Sequence, residues 1–358
     1  MRFGIYAEMQ TPPGKSHVEM TWEILRQIEH ADQVGFDVYS IIDHHFFPKF
    51  SISANPLAMF AAAAQRTDRI RFRVALFTLP LENPMRLAGQ IAEADILTRG
   101  RLECGLGRGH AWLFGPSCMP LEESRPRYNE AVEVLLRAWS QEKFSYDGEF
   151  YNVKDVTVVP RPVQRPHPPL YTGGTSDITY QTAGERGWGI FVPPLLPWGV
   201  LEKPLGIYKK ACAEHGHSPN IVYIRPVYLD DDERQIKKEV ESALHNFLVF
   251  NASPVESLQD EAKKAELRAK GYGFYASGAL ESLTKLTYEQ IVEQEIGFIG
   301  TPEKVIRQIE NLQAKGGIGE LAIVANFGGL EHWKSIKTQH FFATRVMPAF
   351  RSRRAAAE

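Results

Sequence analysis

The chain has 358 residues, 44% hydrophobic and 23% charged, with a formal net charge of −2. That is an ordinary globular composition with enough chain for a sizeable core, as one large domain or two small ones. A near-neutral charge argues against nucleic acid or an anionic membrane as a partner, and no apolar run approaches the roughly 20 residues that span a bilayer. Met1-Arg2 runs directly into a strand pattern, so nothing resembles a signal peptide. Cys104, Cys118 and Cys212 are too widely spaced for a disulfide framework or a zinc pattern. The expectation is a reducing, cytoplasmic setting.

In chain order, Phe3–Ala7 reads as a strand, and Ser16 with Glu19 forms a capping-box signature before a helix that Gly35 stops. The second strand, Phe36–Ile42, runs into Asp43-His44-His45-Phe46. Asn55-Pro56 opens the next helix, Ile70–Thr78 is strand three, and Asn83-Pro84 caps a helix ending at Gly100. Strand four, Arg101–Leu106, leads into Gly107-Arg108-Gly109-His110 and an aromatic loop. A helix from Ser124 to Trp139 and a β-hairpin turning at Asp147-Gly148 follow. Strand five is Leu170–Thr172, strand six Gly189–Val192 and strand seven Ile221–Leu229, each followed by a helix. Residues 251–298 read as polar and irregular, with Gly271, Gly273 and Gly278 in one patch; Thr301-Pro302 then starts a helix, and Leu321–Val324 is strand eight. Eight strand–helix units without a second core pattern predict one (β/α)8 TIM barrel over residues 1–358, with insertions after strands four and seven. The inserted segments fall at about 110–125, 143–168 and 251–298. A doubly wound sheet is the alternative, but the first turn lacks the glycine fingerprint of a dinucleotide fold. Arg351, Arg353 and Arg354 read as a solvated tail.

In such a barrel, chemistry sits at the C-terminal ends of the strands. Arg108 lies there between two glycines, where a guanidinium can hold a phosphate bidentately; a tight turn with a surface arginine explains it equally well. Gly173-Gly174-Thr175-Ser176 is the stronger signal. Two glycines after a strand and two hydroxyls opening a helix make an anion site, to which Thr179 can add a third hydroxyl. The plain alternative is an N-cap by Ser176. His44 and His45 are candidate proton carriers. A metal is the weakest reading for them, because adjacent side chains diverge, and a structural role for one of the two competes. Trp112, Phe114 and Trp198, in apolar strand-end loops, are candidates for an organic-ligand pocket, with packing under the loops as the rival.

The ordered set of motifs resembles the bacterial luciferase-like flavin monooxygenases. It runs from Arg2-Phe3-Gly4 through Asp43-His44-His45-Phe46, Asn55-Pro56, Leu79-Pro80 and Asn83-Pro84-Met85-Arg86. It continues through Gly100-Arg101-Leu102, Gly107-Arg108-Gly109, Phe114-Gly115, Thr175-Ser176 and Gly300-Thr301-Pro302. The resemblance implies a barrel that takes reduced FMN as a diffusible co-substrate from a separate flavin reductase. It implies that O2 is activated as a flavin hydroperoxide, with one oxygen atom inserted into a small, apolar organic substrate. It places the flavin phosphate on Arg108, Thr175, Ser176 and Thr179, beside Gly173 and Gly174, and the catalytic histidine at His44 with His45 next to it. A non-proline cis peptide against the ring would fall at Ala75-Leu76, residues 271–280 would form an active-site lid, and the chain would be at least a homodimer. Three departures stand out. Asp43 replaces luciferase's glutamate, Gly107 its flavin-side cysteine, and Thr175 a glutamate beside the phosphate, so light emission and an aldehyde substrate do not carry over. A deazaflavin (F420) oxidoreductase and a non-catalytic flavin-binding protein are the alternatives.

Overall fold

The computed structural model describes residues 1–355, with side chains through Arg351. The chain runs through β1 (Arg2–Ala7), β2 (Val38–Ile41), β3 (Arg71–Thr78) and β4 (Leu102–Gly107). A hairpin follows, β5 (Phe144–Asp147) and β6 (Asn152–Val156), then β7 (Leu170–Gly173), β8 (Gly189–Val192) and β9 (Ile221–Leu229), a short β10 (Phe298–Gly300), and β11 (Glu320–Val324). Parallel pairing in the order β1-β2-β3-β4-β7-β8-β9-β11 and back to β1 closes an eight-stranded barrel, while β10 adds to the far end of β9. This is the TIM barrel that the alternation of strands and helices predicts.

Local chemistry explains the boundaries. Ser16 accepts from the Glu19 N–H at the start of helix His17–Val34, and Gly35 ends that helix at φ 102°. Along β1, Phe3, Ile5 and Ala7 point into the core beneath the helices, whereas Tyr6 joins the cluster that rises to the mouth, as strand alternation requires. At the N-terminal end the barrel is filled by charge. Fully buried Arg73 donates to Glu103 at 2.8 and 2.6 Å and to Glu320 at 2.7 and 2.8 Å. Its guanidinium lies 4.1 Å from the Tyr171 ring.

Two expectations are corrected. Residues 251–298 are ordered into short helices, among them Glu261–Ala269, Ala279–Leu283 and Tyr288–Glu293, which bury Leu258, Leu267, Tyr272 and Leu280. Helices of five to nine residues are too short to show a 3.6-residue period. Their caps were the signal to use: Asp260 accepts from Ala262 and Lys263, and Thr287 with Gln290 forms a capping box. Arg351 is tied down, donating to the Gly35 carbonyl at 2.6 Å and facing Asp37. The side chains of Arg353 and Arg354 lie outside the described residues.

Candidate active site

A cavity of about 440 Å³ opens at the C-terminal ends of the barrel strands. One end gathers arginines and hydroxyls around a helix start. Arg108 follows β4, and its Nη2 donates to Ser124 Oγ and to the Lys270 carbonyl, both at 3.0 Å. Its guanidinium stacks 4.1 Å from Tyr272, yet its buried Nε and the Tyr272 hydroxyl have no hydrogen-bond partner among the described residues. Arg125 lines the same end, without a hydrogen bond or ion pair among the described residues. Burial and the adjacent Arg108 charge pull its pKa below the ordinary arginine value. Across from them, Ser176 holds the N-cap position of helix Asp177–Glu185, but its side chain does not cap it. Instead its Oγ sits 2.9 Å from Thr179 Oγ1, and Gly173, Gly174 and Thr175 complete the rim. The first-turn N–H groups are thus left uncapped by side chains at the positive end of the helix dipole, which favours an anion.

The middle of the cavity is lined mainly by apolar and aromatic side chains. The Ala75–Leu76 peptide, where the β3–β4 register slips, is cis. Leu76 lies against β4, where a Cβ on Gly107 would come within 2.8 Å of Leu76 Cδ1. Gly109, at φ 81°, would place a Cβ 2.2 Å from Thr78. These two glycines therefore make room for β3 side chains, rather than letting the Arg108 backbone approach a phosphate. On the facing side His110 stacks on Trp112 at 4.4 Å and 6°, and Tyr275 meets Trp112 edge-on at 5.0 Å.

A family model described as luciferase-like monooxygenase matches residues 1–318. The chain belongs to this family. The alkanal monooxygenase alpha chain of Photobacterium leiognathi is 27% identical, over 94% of this chain and 95% of its own. The FMNH2-dependent dimethylsulfone monooxygenase of Pseudomonas putida is 28% identical, over 80% of this chain and 75% of its own. The solved structure of monooxygenase RslO1 from Streptomyces bottropensis superposes with a TM-score of 0.81 at 26% identity, covering 98% of this chain and all of that one. The protein is therefore a flavin-dependent monooxygenase.

The barrel brings most of the sequence-predicted residues of this monooxygenase together. Ala75, Leu76, Arg108, Trp112, Gly173, Gly174, Thr175, Ser176 and Thr179 all line the one cavity. Four do not. Phe114 is buried behind the mouth against Tyr272, and Trp198 begins helix Trp198–Glu214 and packs on Gly316. Both aromatics follow the packing alternative, because each has an apolar surface nearer than the cavity. His45 points away, half-buried, with Nε2 3.4 Å from Asp43 Oδ1. Its hydrogen bond to that carboxylate raises its pKa. His44 is fully buried behind the wall, where Nε2 accepts the Trp112 indole N–H at 2.9 Å. Its Nδ1 has no partner among the described residues. Burial, helped by His110 and His45, lowers its pKa to about 2.

Sequence reasoning missed Arg125, His110 and Glu8, all of which line the cavity. Arg125 could have been found from its place beside Ser124 at the start of a helix after strand four. Among the described residues, no group of three or more His, Cys, Asp or Glu side chains could hold a metal ion, and no helix is long and apolar enough to cross a membrane.

The buried imidazoles predict an acid-sensitive fold. Burial lowers the pKa of His110 to about 4 and that of His44 to about 2, both below the ordinary value of 6.5. The unfolded chain therefore binds protons that the folded one refuses, and stability is lost as pH falls below 6.5. At pH 5 each histidine costs about 2 kcal/mol relative to pH 8. Urea unfolding should show the wild type losing roughly 4 kcal/mol more than His44→Asn/His110→Asn between pH 8 and pH 5, on the same principle. That comparison cancels Glu8 and the His45–Asp43 pair, whose raised pKa values act with the opposite sign and are present in both proteins. An unchanged slope in the double variant would place the acid sensitivity elsewhere.

Proposed function

We propose that this monooxygenase binds reduced FMN across the cavity, with the phosphate on Arg108, Arg125, Ser176 and Thr179 and the ring against Ala75–Leu76. It then transfers one oxygen atom of O2 to a small, mainly apolar organic substrate. The observation that carries this reading is the split character of the cavity. Two arginines and an uncapped helix start meet at one end, and aromatic and aliphatic walls make up most of the rest. A phosphate would occupy the orphaned donors at Arg108 and Tyr272, and a planar ring suits the slot beside Leu76.

When bound, reduced FMN supplies the two electrons with which O2 delivers one atom to the substrate and the other to water. The protein's own part is to bind, orient and dry the site. The segment from 253 to 283 covers the mouth and is latched to Arg108 through Lys270 and Tyr272, which excludes water from the slot. His44 fixes the Trp112 indole from behind. The His110 imidazole reaches the cavity without a hydrogen bond among the described residues and stays neutral at physiological pH, so it replaces His44 as the proton acceptor. A separate reductase delivers the flavin, and the cytoplasmic chain acts as a homo-oligomer.

A deazaflavin fits less well. Its longer anionic tail calls for cations beyond the phosphate, but the adjoining cavity of about 280 Å³ past Thr175 and Ser176 is lined by no lysine or arginine. The test is anaerobic mixing with reduced FMN followed by O2. The expected result is a flavin species that precedes oxidised FMN. Reoxidation at the rate of free FMN would remove the monooxygenase reading for this chain and leave a flavin-binding protein.

A further inference from the structure

Glu8 stands just past β1, the strand diametrically opposite β7 in an eight-stranded ring, so it faces the anion site across the mouth. It lines the cavity and is 1% exposed. No lysine, arginine or histidine pairs with it among the described residues. A buried carboxyl without a cation is held only by a specific set of hydrogen bonds or by a proton.

The hydrogen bonds are few and their direction is determined. Gln10 Nε2 donates to Glu8 Oε2 at 2.8 Å, and Asn251 Nδ2 donates to the same oxygen at 3.0 Å. Neither amide can be flipped. Gln10 Oε1 accepts the Gly328 N–H at 2.8 Å, and a backbone N–H can only donate. Asn251 Nδ2 also donates to the Phe247 carbonyl at 3.0 Å, which can only accept. Gly328 is itself locked in place, since a Cβ there would lie 1.7 Å from the Ala243 carbonyl oxygen. Between Glu8 and Gln10, Met9 sits at φ 55°, a left-handed conformation uncommon for a residue with a side chain. The chain is bent so that these two side chains meet. Both amides therefore converge on Oε2, and Oε1 is left with no partner among the described residues, on a side chain that borders the cavity.

We propose that Glu8 is a specificity-determining residue that recognises the polar head of the substrate, its Oε1–H donating a hydrogen bond to an uncharged oxygen acceptor such as a carbonyl. The proton has one place to sit, because Oε2 already accepts two N–H groups. Burial pushes the carboxyl up to about 8 despite the Asn251 hydrogen bond, so the group is mainly protonated at neutral pH. The substrate is then an apolar body with one oxygen-bearing end, lying between the aromatic wall and β1. This deepens the reading of the site as a monooxygenase pocket and rests on it.

The test measures binding rather than turnover. Titration calorimetry at pH 7 on the full chain, with and without oxidised FMN, uses 2-octanone and octylamine as probes. Glu8→Gln keeps the oxygen that both amides need and offers an N–H where the acid offers its O–H, so it should bind 2-octanone within about threefold of the wild type. Glu8→Leu should bind it at least tenfold more weakly, on the order expected for an unmet buried acceptor. FMN affinity should be the same in all three proteins, which separates this proposal from the flavin reading. Equal binding of 2-octanone by Glu8→Leu, or no binding by the wild type, would overturn the proposal. So would a wild type that prefers octylamine together with a Glu8→Gln variant that loses it, because the group would then be a carboxylate for a cation. Glu8→Leu leaves two buried amide donors unmet, so if it fails to fold, the Glu8→Gln and octylamine arms still decide.

Discussion

Arg108→Ala should bind oxidised FMN roughly 100-fold more weakly than the wild type, with its riboflavin affinity unchanged. The size follows from two charge-assisted hydrogen bonds to a phosphate, worth about 1.5 kcal/mol or more each when one partner is removed, and from about 1.4 kcal/mol per tenfold in affinity. Arg125 limits the loss in the single variant, since a second guanidinium stays at the same end of the cavity. Removing both should deepen the loss by a further factor of about 10 to 100 on the same arithmetic. Riboflavin is the informative control because it lacks the phosphate. Arg108 also holds the covering segment through the Lys270 carbonyl and the Tyr272 ring. If riboflavin weakens as much as FMN, Arg108 serves the cover and the phosphate assignment fails.

Arg73→Met should lose about 3–5 kcal/mol of stability, the range found when one partner of a buried ion pair is removed. Arg73 is wholly buried and joins Glu103 on β4 to Glu320 on β11. Glu103 would keep Arg2 at 2.9 Å and Arg71 at 2.6 Å, but Glu320 would keep only Arg2, at 3.6 Å. Burial alone would raise the Glu103 pKa, yet the three arginines hold it far below the usual carboxylate range. Without Arg73 one carboxylate must take up a proton or draw in water. Adding Glu320→Gln to Arg73→Met should recover part of the loss, because the orphaned charge is then gone. Urea unfolding at pH 7 measures both variants. A cost under about 1 kcal/mol for Arg73→Met would show that the interior charge is dispensable.

Much of this protein is legible in its residues. Strand patterns, helix caps at Ser16, Asn55 and Asn83, and the regular return of strand after helix are local, so they specify the barrel without reference to distant residues. The turn Gly173–Ser176 stands out for the same reason, since a strand end, two glycines and a helix start lie in one short stretch. Arg108 is ambiguous in isolation, and only the tertiary structure sets it beside Arg125 at one end of a cavity. His44 and His45 show the limit. Both lie in the loop past β2, where no strand pleat sets their direction, so which way each turns depends on Trp112 and Asp43.

The covering segment looks irregular in sequence because its short helices gain their order from the surface they land on. Trp198 resembles a pocket residue in sequence because an apolar loop looks the same whether it lines a cavity or packs beneath one. The sequence by itself determined the fold, the family and the place of the Gly173–Ser176 turn at the mouth, because each is written in contiguous residues. Only the tertiary structure decided that Arg73, Glu103 and Glu320 neutralise one another inside the barrel, and that Glu8, Gln10 and Asn251 meet at its mouth. Glu320 is 247 positions from Arg73, and Asn251 is 243 from Glu8. Contacts at that separation leave no local period or motif, because ring closure, and not any single segment, sets which strand ends face each other.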